Sequence, residues 1–536
     1  MKKSIPNTPI KFIFLLICVL AFHGNSDAQT IKPTHSIETT KLFTSVKISS
    51  LVLDSFIVSQ NLDSDHAASI KDFYKSRDNQ YTWFMEEGLS EQAGQFWNLY
   101  EQYLNYSKDS VLFRPDLQQK WLKMTQGDSL LSKEEIQFTE LQFTSLFFDF
   151  VSRAYAGTVN PSELKWHIPK KKLELHALLK KFAIGDYEDL EDWAPIGPGY
   201  FLLREKLMKL YRLNEKNKFF QISSSKRVYR PADAAPEITL VKKRLFLLGD
   251  LPALDSTHLY NNSLFEAVIR FQKRHGLVED GLIGPAVFKH LNTPIKEKIE
   301  RILVNLERMR WMPNSGTKRR VLVNIPEFKL RVYEEGRQVL NLDVVVGKAA
   351  NRTVIFSDEI KHVVFSPYWN LPQSIVKNEV MPGLEHNPDY LRLHNMEIVG
   401  ERNGLPTIRQ KPGSSNALGK VKFIFPNRYS IYLHDTPAKT LFERNRRAFS
   451  HGCIRVRQPR ELAKLLLSGK PEWSEDSITD AMNSGNEKWV ALNEPVPVYI
   501  TYFTAWVGDL GELNFREDIY GHDRKLARHL FESPSI

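Results

Sequence analysis

Hydrophobic and polar positions in the N-terminal part of the chain follow the period of α-helices. Apolar and aromatic residues recur three and four positions apart from Ser36 to about Leu213. The two densest runs are Phe96, Trp97, Leu99, Tyr100, Tyr103 and Leu104, and then Leu141, Phe143, Leu146, Phe147 and Phe150. Such stripes are typical of buried helix faces. We therefore predict a helical scaffold domain over residues 29–236, with these side chains in its core.

A second and more compact helical pattern extends over residues 237–293. Apolar repeats predict three short helices, and glycine and proline mark where the helices end or begin. These markers are Gly249, Gly276 and Gly284-Pro285. The pattern thus predicts a three-helix module. A helical linker over residues 294–320, with a longer helix at 296–310, is expected to return the chain to the scaffold.

After residue 320 the period of the pattern changes to two, which predicts β-strands. The alternating runs lie at 321–325, 330–333, 340–346, 363–365, 421–425, 431–434 and 496–502. Short strands separated by turn signals indicate a mostly antiparallel β domain over residues 321–505. The strand pattern lapses at about 374–413, which we interpret as a capping insertion, with a long surface excursion as the alternative. Residues 506–536 remain as a C-terminal tail.

The composition agrees with a folded, multidomain α+β protein. The chain has 536 residues, of which 42% are hydrophobic and 25% charged, so disorder, collagen-like repeats and a multi-span membrane protein are excluded. It has only two cysteines, Cys18 and Cys453. A disulfide scaffold, a cysteine-ligated zinc site and an iron–sulfur cluster are excluded with them.

The first 28 residues have the pattern of an export signal. Lysines precede an apolar run at 12–22, which is too short to span a bilayer, and Ser26-Asp27-Ala28 suits cleavage by signal peptidase. We therefore expect a protein of the periplasm or cell envelope. An uncleaved membrane anchor is the alternative, whereas Ile17 disfavours a lipoprotein site at Cys18.

Removal of that segment leaves Cys453 as the single cysteine and changes the net charge little. The chain carries 73 basic and 63 acidic residues, and loss of three basic and one acidic residue changes the charge from +10 to +8. Export makes nucleic acid an unsuitable partner for this positive charge. An exported protein normally pairs or avoids cysteines, so Cys453 is either an inert, buried side chain or a reactive one.

The neighbours of Cys453 favour reactivity. Tyr432 and His434 close a predicted strand, and Arg446, Arg447 and Arg455 surround the run Ser450-His451-Gly452-Cys453. Nearby cations lower a thiol pKa, and either His434 or His451 could act as the base. The amides of Gly452 and Cys453 could stabilise an oxyanion. A metal site is the alternative, but no fourth ligand is evident and Arg455 would repel a cation.

The same residues resemble the signature of the L,D-transpeptidase catalytic domain, the YkuD fold. His434, 15 intervening residues and Ser450-His451-Gly452-Cys453 match its pattern, and Asn416-Ala417-Leu418-Gly419 is similar to its upstream strand. The resemblance implies Cys453 as nucleophile and His434 as base, without a metal or cofactor. It implies supporting roles for Ser450, His451, Gly452, Arg455 and Tyr432.

Two further resemblances cover most of the remaining chain. The three-helix module is similar to the peptidoglycan-binding domain type 1, with its marks at Arg270-Phe271-Gln272, Gly276-Leu277, Asp280-Gly281 and Ile283-Gly284. The whole arrangement resembles the large YcbB-type subfamily. The strings that carry this likeness include Glu307–Pro313, Pro367-Tyr368-Trp369-Asn370 and Asp518-Ile519-Tyr520-Gly521, whereas Val354 stands where we expect proline.

These resemblances imply an enzyme that forms 3→3 crosslinks between peptidoglycan stem peptides through a cysteinyl thioester, in cell wall biogenesis and the maintenance of cell shape. Its partners would be stem peptides and glycan strands, and carbapenems would acylate it. Contact with a membrane is expected only through an uncleaved N-terminal segment. An L,D-carboxypeptidase or a D-amino-acid exchange enzyme would use the same thioester. A non-catalytic wall-binding protein is the alternative of another class.

Overall fold

The computed structural model describes residues 44–126, 131–170, 172–185, 197–216, 219–313 and 318–531. The predicted signal peptide lies outside this range. Among the described residues, each helix is too short or too polar to span a bilayer. A helical region, a small helical module and a β domain follow one another along the chain, which confirms the predicted α+β multidomain class.

The N-terminal region packs its helices around an aromatic core. They are α1 (Ser50–Ser59), α2 (Ser64–Ser76), α3 (Glu91–Ser107), α4 (Pro115–Gln126), α5 (Lys133–Ala156), α6 (Leu175–Ala183) and α7 (Pro198–Glu215), with a hairpin of β1 (Phe84–Met85) and β2 (Gly88–Leu89) before α3. The ring centroid of Trp83 lies 5.2 Å from that of Phe96 and 5.9 Å from that of Phe147. The predicted apolar stripes form this core or pack against it.

The helical module begins and ends its helices where glycine and proline predict. Its helices are α8 (Pro236–Leu248), α9 (Asn262–His275) and α10 (Pro285–Leu291). Gly249 and Gly276 terminate α8 and α9 in left-handed conformations, with φ of +84° and +67°. The next helix, α11 (Ile295–Trp311), packs against α7 of the scaffold, and the guanidinium of Arg310 donates to the hydroxyl of Tyr200 at 3.0 Å.

The C-terminal region is built on a β-sheet that closes on itself. Its strands are β3 (Arg319–Asn324), β4 (Lys329–Glu334), β5 (Arg337–Gly347), β6 (Phe356–Phe365), β10 (Val421–Ile424), β11 (Leu433–His434), β12 (Ala448–Ser450), β13 (Ile454–Val456) and β14 (Lys488–Thr501). The hydrogen-bonded order is β5-β13-β11-β10-β6-β14-β3-β4, and β4 pairs with β5 in turn. The described strands therefore form a closed barrel, with β12 attached to the end of β5.

The barrel is mostly antiparallel, as its sequence predicts, but it also contains parallel pairs. Most pairs are antiparallel, but β11 pairs with β13, β12 with β5 and β14 with β3 in parallel. The alternation of side chains shows which face of a strand is buried, but it does not reveal the direction of the neighbouring strand. The helices α15 (Pro459–Leu466) and α16 (Glu475–Asn483) pack beside the barrel and bury Leu462 and Ile478.

The predicted insertion folds as a subdomain, which we call the cap, residues 369–410. Its sheet has the order β7-β9-β8, formed by β7 (Trp369–Asn370), β8 (Met396–Arg402) and β9 (Leu405–Gln410). Its helical part comprises α12 (Gln373–Ile375), a π-helical turn (Val376–Val380), α13 (Met381–His386) and α14 (Tyr390–Leu393). The sequence predicts no strands at 374–413, and this is wrong for β8 and β9. Strand β8 is largely exposed, so it lacks the buried face that would produce an alternating pattern.

The region after residue 505 is folded as far as the described residues extend. It contains β15 (Ala505–Val507), β16 (Leu513–Phe515) and α17 (His522–Phe531). Leu526 of α17 is buried in the core of the β domain, and Arg308 of α11 donates to Asp523 at 2.6 Å. Residues that the sequence left as a tail thus contact both the connecting helix and the barrel.

Candidate active site

Cys453 lies in a tight turn between β12 and β13, residues 451–453, which we call the nucleophile turn. The hydroxyl of Ser450 donates to the carbonyl of Cys453 at 2.6 Å and accepts from the amide of Gly452 at 3.2 Å. Gly452 has φ of +123°, and an added Cβ would meet no atom within 4 Å. The turn therefore requires glycine for its backbone conformation rather than for space.

The hydrogen bond to Ser450 changes the expected oxyanion site. Because the Gly452 amide already donates to Ser450, it is not free to bind a carbonyl oxygen. The amide of Cys453 has no hydrogen-bond acceptor among the described residues. In this structure the Gly452 amide is engaged by Ser450, so the Cys453 amide is the donor that remains. The predicted role of the two amides in binding an oxyanion stays a prediction.

Parallel pairing of β11 with β13 places His434 beside the nucleophile turn. His434 is the register partner of Arg455, and the amide of Ile454 donates to the carbonyl of Tyr432 at 3.1 Å. Since side chains alternate along a strand, Tyr432, His434, Cys453 and Arg455 point to the same face. The ring centroids of Tyr432 and His434 lie 5.7 Å apart, with an angle of 65° between the ring planes.

The imidazole of His434 is buried and uncharged at neutral pH. Burial, reinforced by the positive charge of Arg455, lowers the pKa of His434 to about 3, against the opposing effect of hydrogen bonding and charge at Asp435. Its Nδ1 has no hydrogen-bond partner among the described residues. A neutral imidazole with an unengaged nitrogen can accept a proton.

The thiol of Cys453 is also in its neutral form at rest. Burial raises the pKa of Cys453, although hydrogen bonds with Tyr432 and the charge of Arg455 lower it in part. The sequence predicts a thiol pKa lowered by neighbouring arginines, and this is wrong because burial outweighs them. Arg447 also donates to the carboxylate of Asp343 at 2.9 Å, so its charge is compensated there.

Arg455 and Tyr432 are the polar side chains that flank the thiol. Burial lowers the pKa of Arg455, and its Nε has no hydrogen-bond partner among the described residues. Burial also raises the pKa of Tyr432 well above its ordinary value, with the neighbouring Cys453 acting in the same direction. Arg455 is therefore a cation available to a substrate carboxylate, and Tyr432 is a protonated donor.

His451, the second candidate base, contacts the cap. Its Nε2 lies 3.2 Å from Oε1 of Glu379, and both side chains are about half exposed. A second cap residue, Trp369, hydrogen-bonds with the side chain of Tyr432. The cap therefore reaches the site on both sides of Cys453. Of the two histidines, His434 shares the face of the thiol and His451 links the turn to the cap.

A hydrogen-bond network supports the nucleophile turn from behind. The hydroxyl of Thr353 donates to the carbonyl of Gly452 at 2.8 Å and accepts from the amide of Gly347 at 2.9 Å. The hydroxyl of Tyr520 donates to the carbonyl of Gly347. Tyr520 lies in one of the strings that carry the resemblance, and Thr353 directly precedes Val354, but the sequence assigns neither of them a role.

The segment before β10 positions the strand that carries His434. Gly419 has φ of +62°, and an added Cβ would lie 2.4 Å from Oδ2 of Asp435. That oxygen accepts from the amide of Lys420 at 2.9 Å. Asn416 is fully buried, and its side-chain amide donates to the carbonyl of Pro367 at 3.0 Å. The segment thereby ties β11 to the base of the cap.

Comparison with known families identifies these elements. Residues 318–473 match the family model of the L,D-transpeptidase catalytic domain, YkuD. The chain carries a YkuD domain. Residues 68–207 match a model described as a scaffold domain, and residues 234–291 match one described as “Putative peptidoglycan binding domain”. The predicted resemblances to the L,D-transpeptidase catalytic domain and to the peptidoglycan-binding domain are both confirmed.

A curated protein is similar to less than half of the chain. A protein of Haemophilus influenzae named “Putative L,D-transpeptidase” is 32% identical over 243 residues, which are 42% of this chain and 49% of that protein. The aligned region thus spans about half the length of this curated relative.

Solved structures with similarity to the chain include two L,D-transpeptidases. The structure from Xylanimonas cellulosilytica has 15% identity and a TM-score of 0.18, and covers 52% of this chain and 100% of its own. The structure from Stackebrandtia nassauensis has 13% identity and a TM-score of 0.22, and covers 52% of this chain and 97% of its own.

The YkuD domain combines the groups needed for acyl transfer to and from sulfur. A thiol, a neutral imidazole and a cation share one face. Among the described residues, the Cys453 amide has no backbone acceptor. Within the described residues, no group of three or more histidine, cysteine, aspartate or glutamate side chains is arranged to hold a metal ion. A thiol beside an imidazole can perform nucleophilic and acid–base chemistry.

Proposed function

We propose that this chain is a peptidoglycan L,D-transpeptidase that forms 3→3 crosslinks through a thioester on Cys453, in cell wall biogenesis and the maintenance of cell shape. The observation that supports the proposal most is the shared face of Cys453 and His434, which the parallel pairing of β11 and β13 produces. The YkuD domain and the curated relative support the same activity class.

In the first half of the reaction the enzyme is acylated. Sγ of Cys453 attacks the carbonyl between the third residue of a donor tetrapeptide and its terminal D-alanine, while the thiol proton moves to His434. The carbonyl oxygen becomes an oxyanion that the Cys453 amide stabilises, with the Tyr432 hydroxyl as a second donor. The C–N bond then breaks, and the proton moves from His434 to the nitrogen of the departing D-alanine.

In the second half an amine of another stem peptide resolves the thioester. The neutral amine attacks the thioester carbonyl, a C–N bond forms and the C–S bond breaks. His434 takes the amine proton and returns it to Sγ, which restores the thiol. Each half-reaction therefore uses His434 once as base and once as acid, for which an imidazole that is neutral at rest is suited.

The supporting residues position substrate and turn. Arg455, whose Nε has no hydrogen-bond partner among the described residues, binds a carboxylate of the donor, and Ser450 and Gly452 maintain the geometry of the turn. The small helical module provides contact with glycan strands or stem peptides, as its family implies. We place the protein in the periplasm or cell envelope and expect carbapenems to acylate Cys453.

Product analysis of purified muropeptides tests the proposal. Incubation of the protein with disaccharide-tetrapeptides should release D-alanine and yield 3→3 dimers, detected by mass spectrometry, and Cys453→Ala should yield none. Accumulation of tripeptides alone would instead identify an L,D-carboxypeptidase, and D-amino acid incorporation alone an exchange enzyme. A protein that binds sacculi but changes no muropeptide would be a wall-binding protein, and the proposal would be wrong.

A further inference from the structure

We propose that Glu379 of the cap binds the ammonium group of the incoming acceptor and thereby determines that an amine, rather than water, resolves the acyl-enzyme. This role rests on the proposed function and adds a specificity-determining residue to it. Three observations support it: the position of the Glu379 carboxylate on the cap, its contact with His451, and the charges around the nucleophile turn.

The fold holds Glu379 over the nucleophile turn. The residue lies in the π-helical turn of the cap, whose end residues Val376 and Val380 are buried in the core of the cap. Insertion of a π turn re-aims the side chains of a helix and is frequent at functional sites. Here it places Oε1 of Glu379 3.2 Å from Nε2 of His451, two residues before Cys453 in the chain.

Other carboxylates near the turn are bound to strong cations. Asp435 accepts from the ammonium of Lys439 at 2.5 Å, and Asp343 forms ion pairs with Arg447 and Arg457. Glu379 differs because its described partner is a histidine. It is therefore the carboxylate at this turn that a substrate cation can approach without separating an arginine or lysine pair.

The exposure of this contact makes it exchangeable. The side chains of His451 and Glu379 are 42% and 50% exposed. Exposed ion pairs contribute little to stability, so a substrate ammonium can replace the imidazole beside Glu379 at small cost. The contact between His451 and Glu379 is therefore present before the acceptor arrives and can be broken when the acceptor binds.

The charges on the two sides of Cys453 are complementary to the two substrates. Arg455 lies on the face of the thiol and has no acidic partner among the described residues, which suits the carboxylate of the donor. Glu379 lies on the cap and suits the ammonium that an acceptor amine carries before it is deprotonated for attack. Water carries no charge and gains only an ordinary hydrogen bond from Glu379, whereas an ammonium gains a charge-assisted one, so this carboxylate favours the amine.

Partition of the acyl-enzyme tests the role of Glu379. An isotopically labelled disaccharide-tetrapeptide serves as donor, and a disaccharide-tripeptide, which cannot be a donor, serves as acceptor at increasing concentration. In Glu379→Gln the KM for the acceptor should rise about tenfold, since a charge-assisted contact is lost. The rate of D-alanine release without acceptor should stay within about twofold of the wild type, because donor acylation does not use this contact.

Two further variants separate recognition from a structural effect. Glu385→Gln, an exposed glutamate of α13 in the same cap, should leave the acceptor KM unchanged. His451→Gln breaks the cap contact but keeps the carboxylate, so the ratio of dimer to hydrolysed donor should remain that of the wild type, whatever the overall rate.

The outcomes distinguish this role from the proposed function. Equal shifts of the product ratio in Glu379→Gln and His451→Gln would show that only the cap contact matters and would overturn the role. A Glu379→Gln variant with equal losses in D-alanine release and dimer formation would overturn it as well. If the wild-type protein released no D-alanine, the proposed function itself would fail.

Discussion

Gly452 holds the nucleophile turn in a backbone conformation that other residues rarely adopt. Because an added Cβ at Gly452 would meet open space, Gly452→Ala isolates backbone strain from collision. We expect it to lower the free energy of unfolding by about 1–3 kcal/mol. Movement of the thiol should reduce kcat/KM by about 100-fold, measured as D-alanine release.

Gly336→Ala is the matched control for this substitution. Gly336 lies in the exposed turn between β4 and β5, with φ of +80° and no atom within 4 Å of an added Cβ. It should show a comparable decrease in thermal stability with activity close to that of the wild type. If both variants lose activity to the same extent, strain at the nucleophile turn is not what matters.

The charge state of the thiol can be measured directly. The pKa of Cys453 is raised and that of His434 is lowered to about 3, so thiol and imidazole are both neutral between these values. Below its raised pKa the thiolate fraction of Cys453 increases tenfold with each pH unit. The rate of alkylation by iodoacetamide should therefore rise with pH past about 8.5, the ordinary value for a thiol.

A different profile would indicate a charged pair at rest. A thiolate–imidazolium pair would give a plateau of alkylation near neutral pH, because the thiolate would already be formed there. Such a plateau would contradict the neutral resting state derived from burial.

Among individual residues, the sequence allowed us to predict only the roles of residues that are adjacent in the chain. The run from Ser450 to Cys453 is contiguous, so its chemistry can be recognised without a fold. Glu379 and Thr353 are distant in sequence and reach the turn only through the cap and the network behind β5. The raised thiol pKa was not predictable either, because burial depends on the packed structure, whereas neighbouring arginines are visible in the sequence.

At the scale of secondary-structure elements, the region after residue 505 supports the nucleophile turn through Tyr520. Its hydroxyl donates to the carbonyl of Gly347 and accepts from the amide of Thr353 at 3.3 Å. Tyr520→Phe removes both contacts and leaves buried polar groups without a partner. We expect the free energy of unfolding to fall by about 1–3 kcal/mol, and activity to fall as the turn loosens.

Tyr499→Phe provides the comparison for this effect. Tyr499 is a buried tyrosine of β14 whose hydroxyl takes no part in the Thr353 network. Denaturant unfolding and D-alanine release, measured on both variants, separate the two effects. The supporting role of Tyr520 would be wrong if Tyr520→Phe and Tyr499→Phe had equal activity.

Elements with a buried face were predictable, and elements without one were not. The helices α8, α9 and α10 end at glycines or begin at proline, and strand β4 alternates clearly, so their positions agree with the pattern. The exposed β8 has no such alternation. The parallel pairing of β11 and β13, which places His434 opposite Arg455, two residues after Cys453, leaves no mark in either strand.

At the scale of the whole molecule, a buried ion pair in the helical module positions an arginine that contacts the region after residue 505. Arg274 of α9 forms a two-pronged pair with Asp250, and its Nη1 also donates to the carbonyl of Leu513 in β16 at 3.1 Å. Asp250→Asn leaves the guanidinium buried without its counter-charge. This should cost about 3–5 kcal/mol of stability in the module and its contact with β16.

Hydrogen exchange can locate this effect. Protection of amides in α8, α9 and β16 should decrease in Asp250→Asn. Glu266→Gln is the control, because the pair of Glu266 with Arg270 on α9 is exposed and its loss should cost less than about 0.5 kcal/mol. Unchanged protection of β16 in Asp250→Asn would show that the pair does not hold the module in place.

The order of regions along the chain was predictable, but their contacts were not. Changes of period and the resemblances separate helical scaffold, module and β domain. The contacts between them depend on pairs such as Arg274 with Leu513 and Arg308 with Asp523, which are far apart in sequence. A single sequence contains no signal that links such residues, so the residues after 505 were expected to be a tail.

The most direct test of the central claim is the intact mass of the protein after incubation with a tetrapeptide donor in the absence of an amine. The account predicts an adduct with the mass of the donor less D-alanine, mapped to Cys453 by peptide analysis and absent from Cys453→Ala. D-alanine release by the Cys453→Ala variant, or an adduct on another residue, would contradict it.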